Sequence, residues 1–145
     1  MVPATFFFPA TLMLCLDSVL YLVHCSAVSA SRMHKKKIIA RFYHTASGTS
    51  PVLDWFRSLP IDDRHTIGQD LARVEFRWPV GMPLCRSLGD GLWEVRSTLP
   101  SGRIARLIFC ATAGELFVLH GLIKKTQKTQ AADLTLARKR MKEVE

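Results

Sequence analysis

The spacing of apolar residues along the chain predicts a strand first and then a short helix. Residues 37–45, KIIARFYHT, combine β-branched and aromatic side chains as strands do, and this strand should end near His44. Ser50 and Pro51 form a typical helix start, because serine caps free backbone amides and proline fits the first turn. Apolar residues then recur at helical spacing up to Leu59, which predicts a short amphipathic helix.

A longer helix is predicted over residues 61–78. Pro79 ends it, because the residue before a proline disfavours helical backbone. The opposite side carries basic residues such as Arg73, which is more typical of a solvated face than of a binding face. The apolar residues of this helix are spaced four, three and four apart: Ile67, Leu71, Val74 and Trp78.

Turn signals rich in glycine divide the chain after Pro79 into short strands. Gly89-Asp90-Gly91, Pro100-Ser101-Gly102 and Thr112–Glu115 are these turns. Because each link is short, neighbouring strands should pair antiparallel as a meander. The strands are predicted over residues 84–88, 92–99, 103–109 and 116–124.

A final helix is predicted after Thr129, where Leu134, Ala137, Met141 and Val144 recur at helical spacing. The chain therefore runs as one strand, two helices, a meander of strands and a last helix. This order predicts one α+β domain with a mainly antiparallel sheet.

Residues 1–32 differ from the rest of the chain, since they hold one acidic and one basic residue around a long apolar run. Three interpretations are open. Translation begins at Met33, the segment is a signal peptide with Val28-Ser29-Ala30 as its cleavage site, or it is a membrane anchor that Asp17 interrupts. We expect the functional domain to span residues 33–145.

The chain is strongly basic, with 20 Lys and Arg against 12 Asp and Glu and a net charge of +8. The whole excess falls after residue 32 and favours a polyanionic partner such as nucleic acid. The four cysteines form no CxxC motif and no His/Cys pair at zinc spacing. They are predicted to be free thiols in a reducing, cytoplasmic compartment, and we expect no metal site.

Two arginines fall in the middle of predicted strands, where apolar residues are expected. Because side chains alternate along a strand, Glu94 and Arg96 share the face opposite to Trp93 and Val95, and Arg106 can lie on the same face of the next strand. The helices can cover the apolar face, which leaves the three charged side chains on the open side of the sheet. One interpretation is an exposed salt bridge between Glu94 and an arginine, worth less than ~1 kcal/mol.

The stretch HGLIKKTQKTQ adds further charge near these arginines. His120 ends an apolar run, and Lys124, Lys125 and Lys128 follow, which by itself is typical of a solvated loop. The strand that carries them should neighbour the strand of Arg106, so the lysines would border the same open face. Such a surface fits a backbone phosphate, which arginine grips with two hydrogen bonds and lysine attracts as a point charge.

At these residues the sequence resembles the phage-derived branch of the RelE/HigB-type toxins of bacterial toxin–antitoxin systems. The resemblance runs from about Ile38 to the C-terminus and is sharpest from Gly89 to Arg140. It rests on four motifs in the order of the family: GLWEVR, RIAR, HGLIKKTQKT and ARKR. Gln130 departs from the pattern, because the family usually has proline there, and residues 1–32 have no counterpart.

The resemblance implies a fold with helices on one side of a small twisted sheet, and an endonuclease that cuts ribosome-bound mRNA and so inhibits translation. It also implies a cognate helix-turn-helix antitoxin. The expected reaction uses no metal or other cofactor: the RNA 2′-hydroxyl attacks the adjacent phosphorus and leaves a 2′,3′-cyclic phosphate and a free 5′-hydroxyl. It requires a base at the 2′-hydroxyl, cations at phosphorus and an acid at the 5′-oxygen.

Arg96 and Arg106 match the arginines of the two hairpin strands of the family, and we expect both to stabilise the transition-state phosphate. Lys124 matches its basic motif and is expected to stabilise or protonate the leaving oxygen. Glu94 or His120 is the expected base, although each also has a structural interpretation as a salt-bridge partner or as a strand residue. Further basic residues are expected to bind RNA: Lys125, Lys128, Arg73 and Arg86.

The alternative function is a non-catalytic RNA- or ribosome-binding protein on the same fold, whose basic face positions RNA without cutting it. A third interpretation, a secreted or anchored basic protein, depends on residues 1–32 alone. Mapping of cut sites in ribosome-bound mRNA would separate the first two functions.

Overall fold

The computed structural model of the chain describes residues 35–124 and 130–144. The predictions for residues 1–32 and for a cap at Thr129 therefore lie outside the described residues. No helix in the described ranges is both long enough and apolar enough to cross a membrane. The elements, in chain order, are β1 (Ile39–Phe42), α1 (Pro51–Ser58), α2 (Ile61–Arg77), β2 (Cys85–Gly89), β3 (Leu92–Thr98), β4 (Ile104–Thr112), β5 (Glu115–Lys124) and α3 (Ala131–Val144).

The five described strands form one sheet in the order β1-β5-β4-β3-β2. Strands β2 to β5 pair antiparallel with their neighbours along the chain, which confirms the predicted meander. Strand β1 pairs with β5 and runs parallel to it, with Ile39 opposite Glu115. The sheet is thus mainly antiparallel, and the predicted α+β class is confirmed.

The helices lie on both faces of the sheet. Helices α1 and α2 pack with Val95, Leu107 and Phe109 in the larger apolar core. Helix α3 packs instead with Ile108 and Leu122, which point to the other side of the strands. The predicted packing on one face therefore holds for α1 and α2, whereas α3 covers part of the face that was expected to be open.

Ser50 precedes α1 but does not cap it. Its Oγ donates a hydrogen bond to the carbonyl oxygen of Tyr43 at 2.7 Å and makes no capping hydrogen bond to the helix. Pro51 occupies the first turn, as the sequence predicts. The serine thus fixes the link between β1 and α1 instead of satisfying the amides of the helix.

Glu75 ties the start of β1 to α2. Its buried carboxylate accepts hydrogen bonds from Lys36 Nζ at 3.0 Å and from the backbone amide of Ala40 at 2.8 Å. Its backbone carbonyl oxygen accepts hydrogen bonds from the backbone amides of Lys37 and Ile38 at 2.8 and 3.2 Å. One residue of α2 therefore holds the segment that leads into the first strand.

Candidate functional site

Arg96 of β3 and Arg106 of β4 lie directly opposite each other in the sheet. Glu94 lies on the same face, because it is two residues before Arg96 in the strand. The turn that sets this register contains Gly102 at φ +74°, a left-handed conformation that glycine adopts without strain. The hairpin therefore brings three of the predicted catalytic side chains together, and we call these three residues the Glu94 cluster.

The Glu94 cluster is mostly buried, so the prediction that its members lie on an open face is wrong for two of them. Arg106 is 2% exposed, and its Nη1 donates a hydrogen bond at 3.3 Å to Oε2 of the fully buried Glu94. Arg96 is 24% exposed, with Nε 3.9 Å from Oε1 of Glu94. Burial follows from the packing of α3 on this face, against Ile108 and Leu122 beside Arg106.

The charges of the Glu94 cluster hold one another in place. Burying a single ionised side chain costs several kcal/mol unless a partner of opposite charge accompanies it. The Glu94 carboxylate accepts a hydrogen bond from Arg106 and lies within ion-pair distance of Arg96, so it links the two guanidinium groups electrostatically. The arrangement presents Arg96 as an oriented, partly accessible cation above a buried ion pair.

His120 lies on the same face as the Glu94 cluster, on β5, which neighbours the strand of Arg106. A register shift between Ile108 and Phe109 places His120 opposite Ile108. Its Nε2 lies 3.3 Å from Oδ1 of Asp133 on α3, and each of these two side chains is 20% exposed. A carboxylate beside an imidazole orients the ring, and an oriented imidazole can transfer a proton.

Two of the residues predicted to bind RNA flank the cluster. Arg86 of β2 is exposed and lies opposite Glu94 at the edge of the sheet. Arg73 of α2 is 64% exposed, and its Nη1 donates to Oδ1 of Asp70 at 2.8 Å. Arg73 and Arg96 line one cleft of about 610 Å³ between α2 and the β3–β4 hairpin. Helical spacing does not show which strand end a helix passes, so this shared cleft could not be predicted from the pattern of residues.

The predicted lysines fall at or beyond the end of β5. The backbone of Lys124 pairs with Ile104, two positions along the ladder from the pair that joins Arg106 and Leu122. Lys125 and Lys128 lie outside the described residues.

The described residues show no metal site, and Cys85 is not a reactive cysteine. They contain no group of three or more His, Cys, Asp and Glu side chains arranged to hold a metal ion. Cys85 is a free thiol in the core, and burial together with the nearby charge of Asp70 raises its pKa to about 11. A thiol with so high a pKa is a poor nucleophile at neutral pH, so Cys85 is a core residue.

Polar contacts that sequence reasoning missed hold α3 on the sheet. Arg138 bonds Asp90 through Nη2 at 3.0 Å, and the guanidinium of Arg140 lies 5.2 Å from the centroid of the Tyr43 ring. Tyr43 donates a hydrogen bond to Glu143, which raises the pKa of the phenol. The ARKR motif was the available signal, but its partners lie far away in the sequence.

The chain matches the model of a known protein family. The model of the family described as phage derived protein Gp49-like (DUF891) matches residues 54–142. The matched range contains the Glu94 cluster, His120 with Asp133, and the cleft beside Arg96. No curated protein matches the chain significantly.

Proposed function

The chain belongs to the phage-derived Gp49-like family (DUF891), and on that premise we propose that it is a RelE/HigB-type endoribonuclease that cleaves mRNA on the ribosome. The family is associated with the toxins of toxin–antitoxin systems, and such a toxin has an antitoxin partner. We propose that the antitoxin is a helix-turn-helix protein and that the cleavage uses no metal ion.

One observation carries the proposal. Arg96 is a partly exposed guanidinium held by a buried carboxylate, at the border of a cleft and on the same face as a His–Asp pair. A preorganised cation is worth most where negative charge develops in a transition state, because it needs no reorganisation during the reaction. This combination fits phosphoryl chemistry on an anionic polymer.

The proposed reaction is a transesterification within the RNA chain. The 2′-hydroxyl oxygen forms a bond to the adjacent phosphorus while the bond from phosphorus to the 5′-oxygen breaks. A base removes the proton of the 2′-hydroxyl, and an acid gives a proton to the departing 5′-oxygen. The products are a 2′,3′-cyclic phosphate and a free 5′-hydroxyl, so no oxidant, reductant or water molecule is consumed.

Arg96 is the catalytic cation of this proposal, and Arg106 is a positioning residue. Arg106 is nearly inaccessible and acts on Arg96 through the carboxylate of Glu94. Glu94 is also buried, which makes it unsuited to reach a substrate hydroxyl. This assignment changes the role predicted for Arg106, from a direct contact with phosphate to support of the residue that makes it.

His120 is the proposed base, since its ring is partly accessible and Asp133 orients it. Neighbouring strands lie about 4.8 Å apart, so the backbone of β5 is roughly 10 Å from that of β3, a separation across which an arginine and a histidine side chain can converge on one phosphodiester. Lys124, at the end of β5, is proposed to stabilise the leaving oxygen. Arg86, Lys125 and Lys128 would attract the RNA backbone.

The test is primer extension on mRNA bound to purified ribosomes. The Arg96→Ala variant should lose about a hundredfold or more in cleavage rate, because it removes a cation at a developing oxyanion. Arg41→Ala is the matched control: Arg41 is also a strand arginine paired with a glutamate, 2.6 Å from Glu115, but on the far edge of the sheet. His120→Ala, with the exposed His44→Ala as control, tests the base in the same assay.

Both controls should cleave within a few-fold of the wild-type rate. Circular dichroism would establish that each variant is folded. Cleavage at the wild-type rate by folded Arg96→Ala would overturn the assignment of the site.

The alternative function, RNA or ribosome binding without cleavage, is favoured by the burial of Glu94 and Arg106. Both were predicted to act at the surface, and neither is accessible there. Wild-type protein that sediments with ribosomes but yields no cut mRNA would establish this alternative and exclude the endoribonuclease.

A further inference from the structure

The cleft beside Arg96 exists because β2 stops short of the end of β3. Cys85, the first residue of β2, lies opposite Val95, and the carbonyl oxygen of Leu84 accepts the amide of Arg96 at 2.9 Å. Thr98, at the end of β3, extends past this point and lines the cleft. Helix α2 passes alongside, so the opening lies between a helix and the uncovered end of a hairpin.

The lining of this cleft has three chemical parts. Leu84, Ile104 and Pro83 supply apolar surface. Arg73 and Arg96 supply positive charge, and Asp70 is the single acid of the lining; it binds Arg73, whose side chain is still 64% exposed. Hydrogen-bonding groups complete the lining: Thr66, Gln69 and Thr98.

Each part corresponds to a part of one nucleotide. An unpaired base can pack on the apolar surface and be read along its edge by amide and hydroxyl groups, as single-stranded RNA generally is. The adjoining phosphate can bind the guanidinium groups through paired hydrogen bonds. The volume of about 610 Å³ lies within the range of about 300–1,000 Å³ found for small-molecule sites.

We propose that this cleft binds one unpaired nucleotide of the RNA, next to the phosphate that is cut, and that Gln69 and Thr66 set the base preference there. The position of the nucleotide next to the cleaved phosphate rests on the proposed function, whereas nucleotide binding by the cleft does not. Arg96 belongs to both sites, since it contacts the Glu94 carboxylate on one side and borders the cleft on the other. The helix α2 thereby becomes part of the recognition surface.

The first experiment separates base preference from catalysis. The 5′ ends of mRNA cut by wild-type protein and by Gln69→Ala and Thr66→Ala variants are sequenced. The base preference at one position next to the cut should fall at least fivefold in both variants, because each removes a group that reads the edge of the base. Arg57→Ala, on α1 and outside the cleft lining, should leave the preference unchanged.

The second experiment measures binding without cleavage, by fluorescence anisotropy with a single-stranded RNA of mixed sequence. Arg73→Ala should weaken binding about fivefold or more, because it removes a phosphate contact. Arg77→Ala is the matched control, since it lies one turn further along the same exposed helix face and does not line the cleft. Thr98→Trp, which fills the cleft with bulk, should weaken binding as Arg73→Ala does.

The outcomes distinguish the two proposals. Wild-type cleavage with unchanged base preference in Gln69→Ala and Thr66→Ala, and with equal RNA binding by Arg73→Ala and Arg77→Ala, would overturn the nucleotide site and leave the proposed function intact. If the wild-type protein cuts no mRNA, but Arg73→Ala and Thr98→Trp bind RNA more weakly than Arg77→Ala, the nucleotide site stands and the proposed function falls.

Discussion

Arg106 can support the proposed reaction without touching RNA. Its guanidinium is 2% exposed and bonds Glu94, which in turn lies 3.9 Å from Nε of Arg96. A buried carboxylate near an accessible guanidinium limits the conformations of that group and so orients it. The carboxylate can itself be buried because a second arginine compensates its charge. The three side chains therefore act as one unit with a single exposed group.

The ion pair makes a prediction for stability. Arg106→Ala leaves Glu94 buried without its main partner, and should lower the free energy of unfolding by about 3–5 kcal/mol. Replacing both residues by apolar ones of similar size, as Glu94→Leu with Arg106→Met, should recover most of this loss, because no uncompensated charge is then buried. Urea unfolding followed by circular dichroism measures both variants.

The double variant also separates stability from function. It should fold yet cleave mRNA poorly, because Arg96 has lost the carboxylate that orients it. If the free energy of unfolding of Arg106→Ala is less than about 1 kcal/mol below that of the wild-type protein, Glu94 and Arg106 do not form a buried ion pair.

The packing of α1 on β5 depends on one glycine. A Cβ atom placed at Gly121 would overlap the ring of Trp55 on α1, so the strand and the helix can approach this closely only without a side chain there. Gly121 pairs with Leu107 of β4, on the face that α1 and α2 cover. The glycine of the HGLIKK motif is therefore explained by close approach.

Gly121→Ala should lower the free energy of unfolding by about 1–3 kcal/mol, the usual cost of overpacking a core. Gly81→Ala is the control, because a Cβ there meets nothing within 4 Å and the backbone has no positive φ. Trp55→Leu should rescue Gly121→Ala by making room for the methyl group. Equal stability of the Gly121→Ala and Gly81→Ala variants would contradict the close contact of α1 with β5.

Helix α3 links the two halves of the proposed site. It carries Asp133 to the His120 ring and packs against Ile108 and Leu122, the neighbours of Arg106. One helix therefore orients the proposed base and closes the face that holds the Glu94 cluster. A partner that displaced α3 would disturb both parts at once.

The local patterns of the sequence predicted much of the fold, and long-range contacts account for what they missed. Alternation along β3 and β4 correctly placed Glu94, Arg96 and Arg106 on one face, because a strand repeats every two residues. The same pattern could not show that Arg106 is buried, since α3, which packs on that face, begins 25 residues later at Ala131. The sequence predicted β1 but not its pairing with β5, for which no adjacent turn gives a signal.

The candidate site could be predicted only in part, because some of its residues meet through long-range contacts. The resemblance and the strand pattern identified the arginines and His120, which are side chains with evident chemistry. They did not identify Asp133 or the cleft lined by Arg73 and Gln69, because both arise where elements distant in sequence meet. Ser50 shows the reverse error, since a good local cap signal was overridden by the nearby carbonyl of Tyr43.

The domain as a whole should not depend on the first 32 residues. The segment that enters β1 is held by Glu75 through Lys36, Lys37 and Ile38, and Ile38 is 3% exposed. A chain that begins at Met33 keeps these contacts, and its midpoint of thermal unfolding should lie within about 2 °C of that of the full chain. A chain that begins at Ile39, after an initiator methionine, loses these contacts with Glu75 and also the burial of Ile38, which is worth about 2 kcal/mol. Its midpoint of thermal unfolding should therefore lie several degrees lower. Circular dichroism during heating measures all three chains, and a full chain that is markedly more stable than the one from Met33 would show that residues 1–32 belong to the domain.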